Sequence, residues 1–280
     1  HGIRLPQETV TVNNIRLADA DVHIALNDSV KEDTTSSTPL NWNINIIQTS
    51  LERTHLFLSM PGDSMTVEAG IATAHLQQGN IDLKQSLYTV GTFDLHADSL
   101  YYDLPFETTS EGLDVNHIAL KDIGIGIDSI YFDGQSTGLS LLLRETRMKE
   151  KSGLEISSLN GRLHMDSTSL HVSELSLHTP DSYLGAQAHM DFSAVGPHPH
   201  GSLSARLMGE LGKQDVLLFA GGLPMAFVRS YPNEPIIVRL SADGNLDSLN
   251  LTTAEARLAG AFELKADGRL RQLTDSVRMS

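Results

Sequence analysis

Residues 170–192 read LHVSELSLHTPDSYLGAQAHMDF. Apolar side chains occupy alternate positions, first Leu170 and Val172, then Leu175 and Leu177, then Leu184, Ala186, Ala188, Met190 and Phe192, with polar residues between them. A period of two is that of a β-strand with one apolar face, because successive side chains point to opposite sides of a sheet. The parity change across Ser173-Glu174 would turn half of the first strand's apolar set to the wrong face. The dipeptide therefore predicts a bulge or tight turn that absorbs one residue. Thr179-Pro180-Asp181-Ser182 supplies the turn to the next strand.

The same alternation extends in both directions. Upstream it appears at Val22, Ile24 and Leu26, at Trp42, Ile44 and Ile46, and at Leu163 and Met165. Downstream it continues at Leu203, Ala205 and Leu207, then at Ile236, Val238, Leu240 and Ala242, and at Phe262, Leu264 and Ala266. The turn signals Asp243-Gly244 and Asp267-Gly268 follow two of these strands. Asp-Ser recurs at Asp28, Asp63, Asp98, Asp128, Asp166, Asp181, Asp247 and Asp275. Its side chains bond the local backbone, which places it at corners between strands. Helical spacing is rare, and the exception is GKQDVLLFAGGLPMAFVRSY over 212–231. It reads as two short helices, the first stopped by Gly221-Gly222 and the second begun at Pro224. That segment is expected to cap apolar β surface or to dock on a membrane or partner. Lys31 to Pro39 reads as an exposed loop.

The expected fold is all-β: one elongated, repetitive, solenoid-like curved sheet over 1–280 with a short helical segment near 212–231. A compact sandwich satisfies the same periodicity. A membrane barrel fits poorly, since aromatics make up only 5% of the chain, too few for two interfacial girdles.

Composition removes several functions. The formal charge is −15, from 35 acidic and 20 basic residues, which opposes a nucleic-acid partner. With no cysteine there is no disulfide framework, thiolate nucleophile or Cys-ligated zinc. No run of about 18 apolar residues spans a bilayer as a helix. The start at His1-Gly2-Ile3 reads as a cut from a longer chain. His164, His171 and His189 alternate with apolar residues and read as solvent-facing. His198-Pro-His200 is the closest histidine pair and reads as an exposed turn rather than a metal site. Gly62-Asp63-Ser64-Met65 with Asp114-x-x-His117 has the outline of a GDS-type esterase, but the α/β framework is missing. Gly124-Ile-Gly126 reads as a strand kink. The expectation is no enzyme, no metal and no cofactor.

The stretch from Leu159 through Phe192, with the pattern Gly-x-Leu, turn, Leu-x-Val-x-x-Leu-x-Leu-x-Thr-Pro-Asp-Ser, resembles the strand pairs of the AsmA-like superfamily and its TamB-like proteins. Gly212-Lys-Gln-Asp215, Ala220-Gly-Gly-Leu-Pro224 and Tyr231-Pro232-Asn233 add to the likeness, which is most specific from about Ile127 onward. The resemblance implies a periplasmic segment of a Gram-negative inner-membrane protein, held by an N-terminal helix this sequence lacks. Its fold would be a taco-like β-groove carrying phospholipid acyl chains between the two membranes and supporting outer-membrane biogenesis. The inward, lipid-facing positions would be Leu163, Met165, Leu170, Val172, Leu175, Leu177, Leu184, Ala186, Ala188, Met190, Phe192, Leu203, Ala205 and Leu207. The alternative it implies is a scaffold for assembly and secretion of outer-membrane proteins with a barrel of the BamA family.

Overall fold

A computed structural model describes residues 2–4, 8–25, 41–60, 64–108, 113–195, 200–219 and 225–273. The fold is all-β. The strands are β1 (Gly2–Arg4), β2 (Thr9–Val12), β3 (Ile15–Ala25), β4 (Asn43–Met60), β5 (Met65–Asp82), β6 (Leu87–Val90), β7 (Thr92–Asp103), β8 (His117–Asp133) and β9 (Gly138–Glu150). They continue with β10 (Glu155–Met165), β11 (Ser169–His178), β12 (Tyr183–Asp191), β13 (Leu203–Leu211), β14 (Ile236–Gly244), β15 (Ser248–Leu258) and β16 (Phe262–Arg271). Two short helices, α1 (Lys213–Phe219) and α2 (Met225–Ser230), fall inside the segment expected to be helical. Gly221, Gly222 and Pro224 lie outside the described residues, as do Leu26, the loop from Lys31 to Pro39, Asp28, Gly62, Asp63, His198 and Asp275. No helix among the described residues is long and apolar enough to cross a membrane.

The chain divides into two compact units. The first comprises 1–135 and 141–155, the second 136–140 and 156–280. In the first, β2 and β3 lie end to end along one side of β4 and run parallel to it. Along β5 and then β8, all pairing is antiparallel, with β6 and β7 forming one interrupted strand between them. The interruption is Gly91, whose amide donates to the Gln77 and Gln78 carbonyls.

A line of irregularities crosses this first sheet. Asp19 on β3, Arg53 on β4 and Asp122 on β8 have φ of 52, 47 and 51°, the left-handed region. On β5 and β7 the register shifts around Ala72 and Asp98. Each strand changes parity at that line: Leu51 gives way to Leu56 on β4, Ala74 to Ile71 on β5, Leu95 to Leu100 on β7, Ile123 to Leu120 on β8. The changes coincide across neighbouring strands, so the apolar residues stay on one face. Ala69, Ile71 and Ala74 accordingly form a single cluster with Leu51, Leu56, Phe93 and Leu95. The expectation that Asp-Ser marks corners fails at Asp98-Ser99 and Asp128-Ser129, which lie inside β7 and β8. It holds at Asp166, Asp181 and Asp247, which lie between strands.

Gly124 and Gly126 occupy an unbroken stretch of β8, paired to His96 and Asp94, and not a kink. Their reason is close approach. A Cβ at Gly126 would fall 2.6 Å from the Arg144 carbonyl oxygen, and one at Gly124 would fall 3.0 Å from the Arg147 guanidinium carbon. Arg144 reaches Asp94 and Asp128, both at 2.7 Å, and two carboxylates hold its guanidinium charge well above the ordinary arginine range.

The second unit is a meander in which β10 to β16 pair in sequence order, each antiparallel to the next. Short turns make this topology local. In the β10–β11 turn the Asp166 carboxylate accepts bonds from the Thr168 hydroxyl and from the Thr168 and Ser169 amides, which hold its pKa down at about 2.

Candidate site: an uncovered apolar face

Directly paired residues of an antiparallel sheet share a face, so the register assigns every side chain of the second unit. One row runs Met165, Leu170, Met190, Leu203, Gly244, Leu249, Leu270 across the seven strands, each residue opposite the next. The next runs Leu163, Val172, Ala188, Ala205, Ala242, Leu251, Gly268. A third links Leu175, Ala186, Leu207, Leu240, Ala254 and Ala266, and a fourth links Leu159, Leu177, Leu184, Gly209, Val238, Ala256 and Leu264. Every position is apolar or glycine. The face between these rows carries His164, His171 and His189 in direct cross-strand pairs, with Arg162, Gln187, Arg206, Arg239 and Glu255.

The bulge makes this possible. Val172 pairs with Ala188 and Leu175 with Ala186, so Ser173 and Glu174 together oppose only Gln187. Glu174 takes φ of 55°. The extra residue cancels the parity change, and all four apolar residues of β11 share one face. β15 repeats the device: Leu251 pairs with Gly268 and Ala254 with Ala266, leaving Thr252 and Thr253 opposite Asp267.

Thirteen of the fourteen expected positions thus lie on one face, brought together from β10, β11, β12 and β13. Phe192 does not belong to these rows. It begins the 3-10 turn Phe192–Ala194 after β12, where its amide donates to the Thr168 carbonyl. Here alternation runs on past the strand's end, since a turn breaks the ladder without changing the residue pattern. The reading also stopped short of β14, β15 and β16, which extend the face; the parity change at Thr252-Thr253 is the same signal as that at Ser173-Glu174.

Burial decides what kind of face this is. All fourteen side chains are half-buried. The buried hydrophobics of the second unit are Ala194, Tyr231, Ala242 and Leu258, and no large side chain of the described residues is fully enclosed. Leu240, Phe262 and Leu264 on the same face are 36, 44 and 59% exposed. A sandwich would bury such a face under a second sheet about 10 Å away. Nothing among the described residues of this unit does so. Full burial of a leucine is worth about 1.5–3 kcal/mol, so each half-buried one leaves about 1 kcal/mol unrealised.

The helical segment is tied to the sheet at one end. The Asp215 carboxylate accepts bonds from the Thr179 and Ser182 hydroxyls of the β11–β12 turn, and Asp181 accepts from the Gln214 amide. Lys213 donates to the Tyr231 carbonyl at 2.8 Å. Phe219 at the end of α1 remains 64% exposed.

In the first unit, Asp114 and His117 are buried together, with Nδ1 3.0 Å from the Asp114 carboxylate and Nε2 3.6 Å from that of Asp103. Ser64 precedes β5, and the register Thr66–Asp103–His117 places it two strands from the imidazole, about 10 Å at ordinary strand spacing. The esterase outline is therefore not assembled around that imidazole. Among the described residues no three metal-ligating side chains converge. The chain matches no family model, no curated protein and no solved structure.

Proposed function

We propose that the apolar face of β10–β16 binds the acyl chains of phospholipids, in a periplasmic segment of a bridge-like lipid-transfer protein of the TamB-like kind. The observation that carries this is a continuous apolar face, seven strands wide, whose large side chains are half-buried or exposed. Acyl chains need burial without directional bonds, and such a face supplies only burial. A sixteen-carbon chain lying with one side against it gains about 0.4 kcal/mol per methylene, half the full-burial value, or about 5–6 kcal/mol in all. That corresponds to dissociation near 10⁻⁴ M, weak enough for a chain to exchange along the sheet. The likeness of residues 159–192 to TamB-like strand pairs supports the same reading.

The alternative is a scaffold for outer-membrane protein assembly with a barrel of the BamA family, acting by strand addition. The observation favouring it is the edge of β16, which among the described residues pairs only with β15. Native mass spectrometry without detergent, with lipid extraction of the same sample, tests both. The expected result is phospholipid bound in discrete steps, lost in Met190→Asp and retained in His164→Asp, with circular dichroism unchanged in each. Equal loss from the two faces, or no extractable lipid, overturns the conduit; co-purified polypeptide favours the scaffold.

A further inference from the structure

The opposite face of the second unit holds a second feature. Two cavities of about 450 and 250 Å³ adjoin there, sharing Glu174, Gln187 and Arg206. Gln187 and Arg206, which both share, project from the polar side, so both open there, with Val172 and Leu175 among the residues at their floor. The larger adds His171, His189, Ser204 and Asp243.

Arg206, Gln187 and Ser204 have no protein partner among the described residues, while His189 lies 3.3 Å from the Asp191 carboxylate and Asp243 accepts from the Asn250 side chain. Arg16, Arg53, Arg144 and Arg239 each meet a carboxylate, whereas Arg206 has none within 4.0 Å among the described residues. The Gln187 amide and the Ser204 hydroxyl likewise have no protein hydrogen-bond partner among the described residues. Each is exposed to solvent.

Charge and geometry select the ligand. Arg206 shares the groove with the carboxylates of Glu174 and Asp243 in a chain of net charge −15, which repels an anion. The site lacks three converging metal ligands. A pair of neighbouring hydroxyls both donates and accepts, and so can meet the guanidinium, the amide and the carboxylates together. Guanidinium, amide and carboxylate are planar groups, each able to span two neighbouring hydroxyls. The smaller cavity adds an apolar wall, with Met208 62% exposed and Gly185 without a side chain. The Tyr183 hydroxyl lies 3.3 Å from where a Gly185 Cβ would sit, at the rim of this wall. Hydroxyl-binding edges beside an apolar surface match the polar rim and C–H face of a pyranose.

We propose that this groove is a saccharide-binding site, with Arg206 and Gln187 holding hydroxyls and Met208 contacting the sugar's C–H face. The test titrates the whole chain with maltotetraose, cellotetraose and N-acetylated chitotetraose, by calorimetry and by NMR of the Met208 methyl and the Gln187 side-chain amide. At least one tetrasaccharide is expected to shift both signals saturably. Loss of one charge-assisted contact in Arg206→Ala should weaken binding about tenfold, and Gln187→Ala should also weaken it. Lys151→Ala, exposed in the first unit, should leave it unchanged. No shift from any of the three at about 10 mM, an affinity below which an open groove has no recognition, overturns the proposal. So does binding that survives both variants, or inorganic phosphate shifting the same signals at lower concentration.

Discussion

Deleting Glu174 should damage this protein far more than replacing it. The bulge at Ser173-Glu174 is all that holds Leu170 and Val172 on the same face as Leu175 and Leu177. Without the extra residue, β11 must turn one pair of apolar side chains to the polar face or lose its pairing to β12 beyond the bulge. Two half-buried side chains of about 1 kcal/mol each are then lost, and polar neighbours such as Ser176 and His178 are brought to the apolar side, so the cost is about 2–3 kcal/mol. Glu174→Gly keeps the chain length. Relief of the left-handed backbone is worth about 1–2 kcal/mol, and the greater entropy of glycine in the unfolded chain offsets about 0.5–1 kcal/mol of it. That variant should fall within about 1 kcal/mol of the parent by the same reasoning. Urea unfolding followed by far-ultraviolet circular dichroism gives the midpoints, and amide exchange in β11 and β12 localises the loss. A deletion variant with the parent's midpoint and exchange pattern would show that the bulge does not set the face.

Three further outcomes follow from particular contacts. Arg144→Gln leaves Asp94 and Asp128 facing each other without their cation, so its unfolding midpoint should drop, more at low salt than at high, in a urea series at two ionic strengths. Asp166 has a pKa near 2 in the fold, below the roughly 3.9 of an unfolded chain; its contribution is complete above about pH 4 and disappears as pH falls through 2. A carboxyl-carbon NMR titration should place its midpoint there, and a midpoint near 4 would contradict the three hydrogen bonds at the turn. Asp215→Ala removes the acceptor for Thr179 and Ser182, so amides of α1 should exchange faster while those of β13 and β14 do not.

The faces of the strands were legible where alternation and chain length were both intact. Leu184 to Met190 and Leu203 to Leu207 follow the period of two with no interruption, and the structure places them as read. Ser173-Glu174 was legible because the parity change is visible in four leucine and valine positions. The line through Asp19, Arg53, Ala72, Asp98 and Asp122 was not. Each irregularity looks like noise in its own strand, and only alignment with the next strand shows that together they keep one face. Phe192 was misread because a 3-10 turn can begin without disturbing the residue pattern.

Sequence alone determined that this chain forms strands, that the α-helices among the described residues fall within 212–231, and, where alternation is unbroken or its parity change is visible, which residues of a strand share a side, since these depend on local backbone geometry. Tertiary structure decided which strands are neighbours, where the bulges line up, and that nothing among the described residues of the second unit covers its apolar face. An alternating strand has the same spelling under a second sheet, under a ligand or in water. Only the positions of the other strands separate these cases, because burial belongs to the assembly of side chains and not to any one of them.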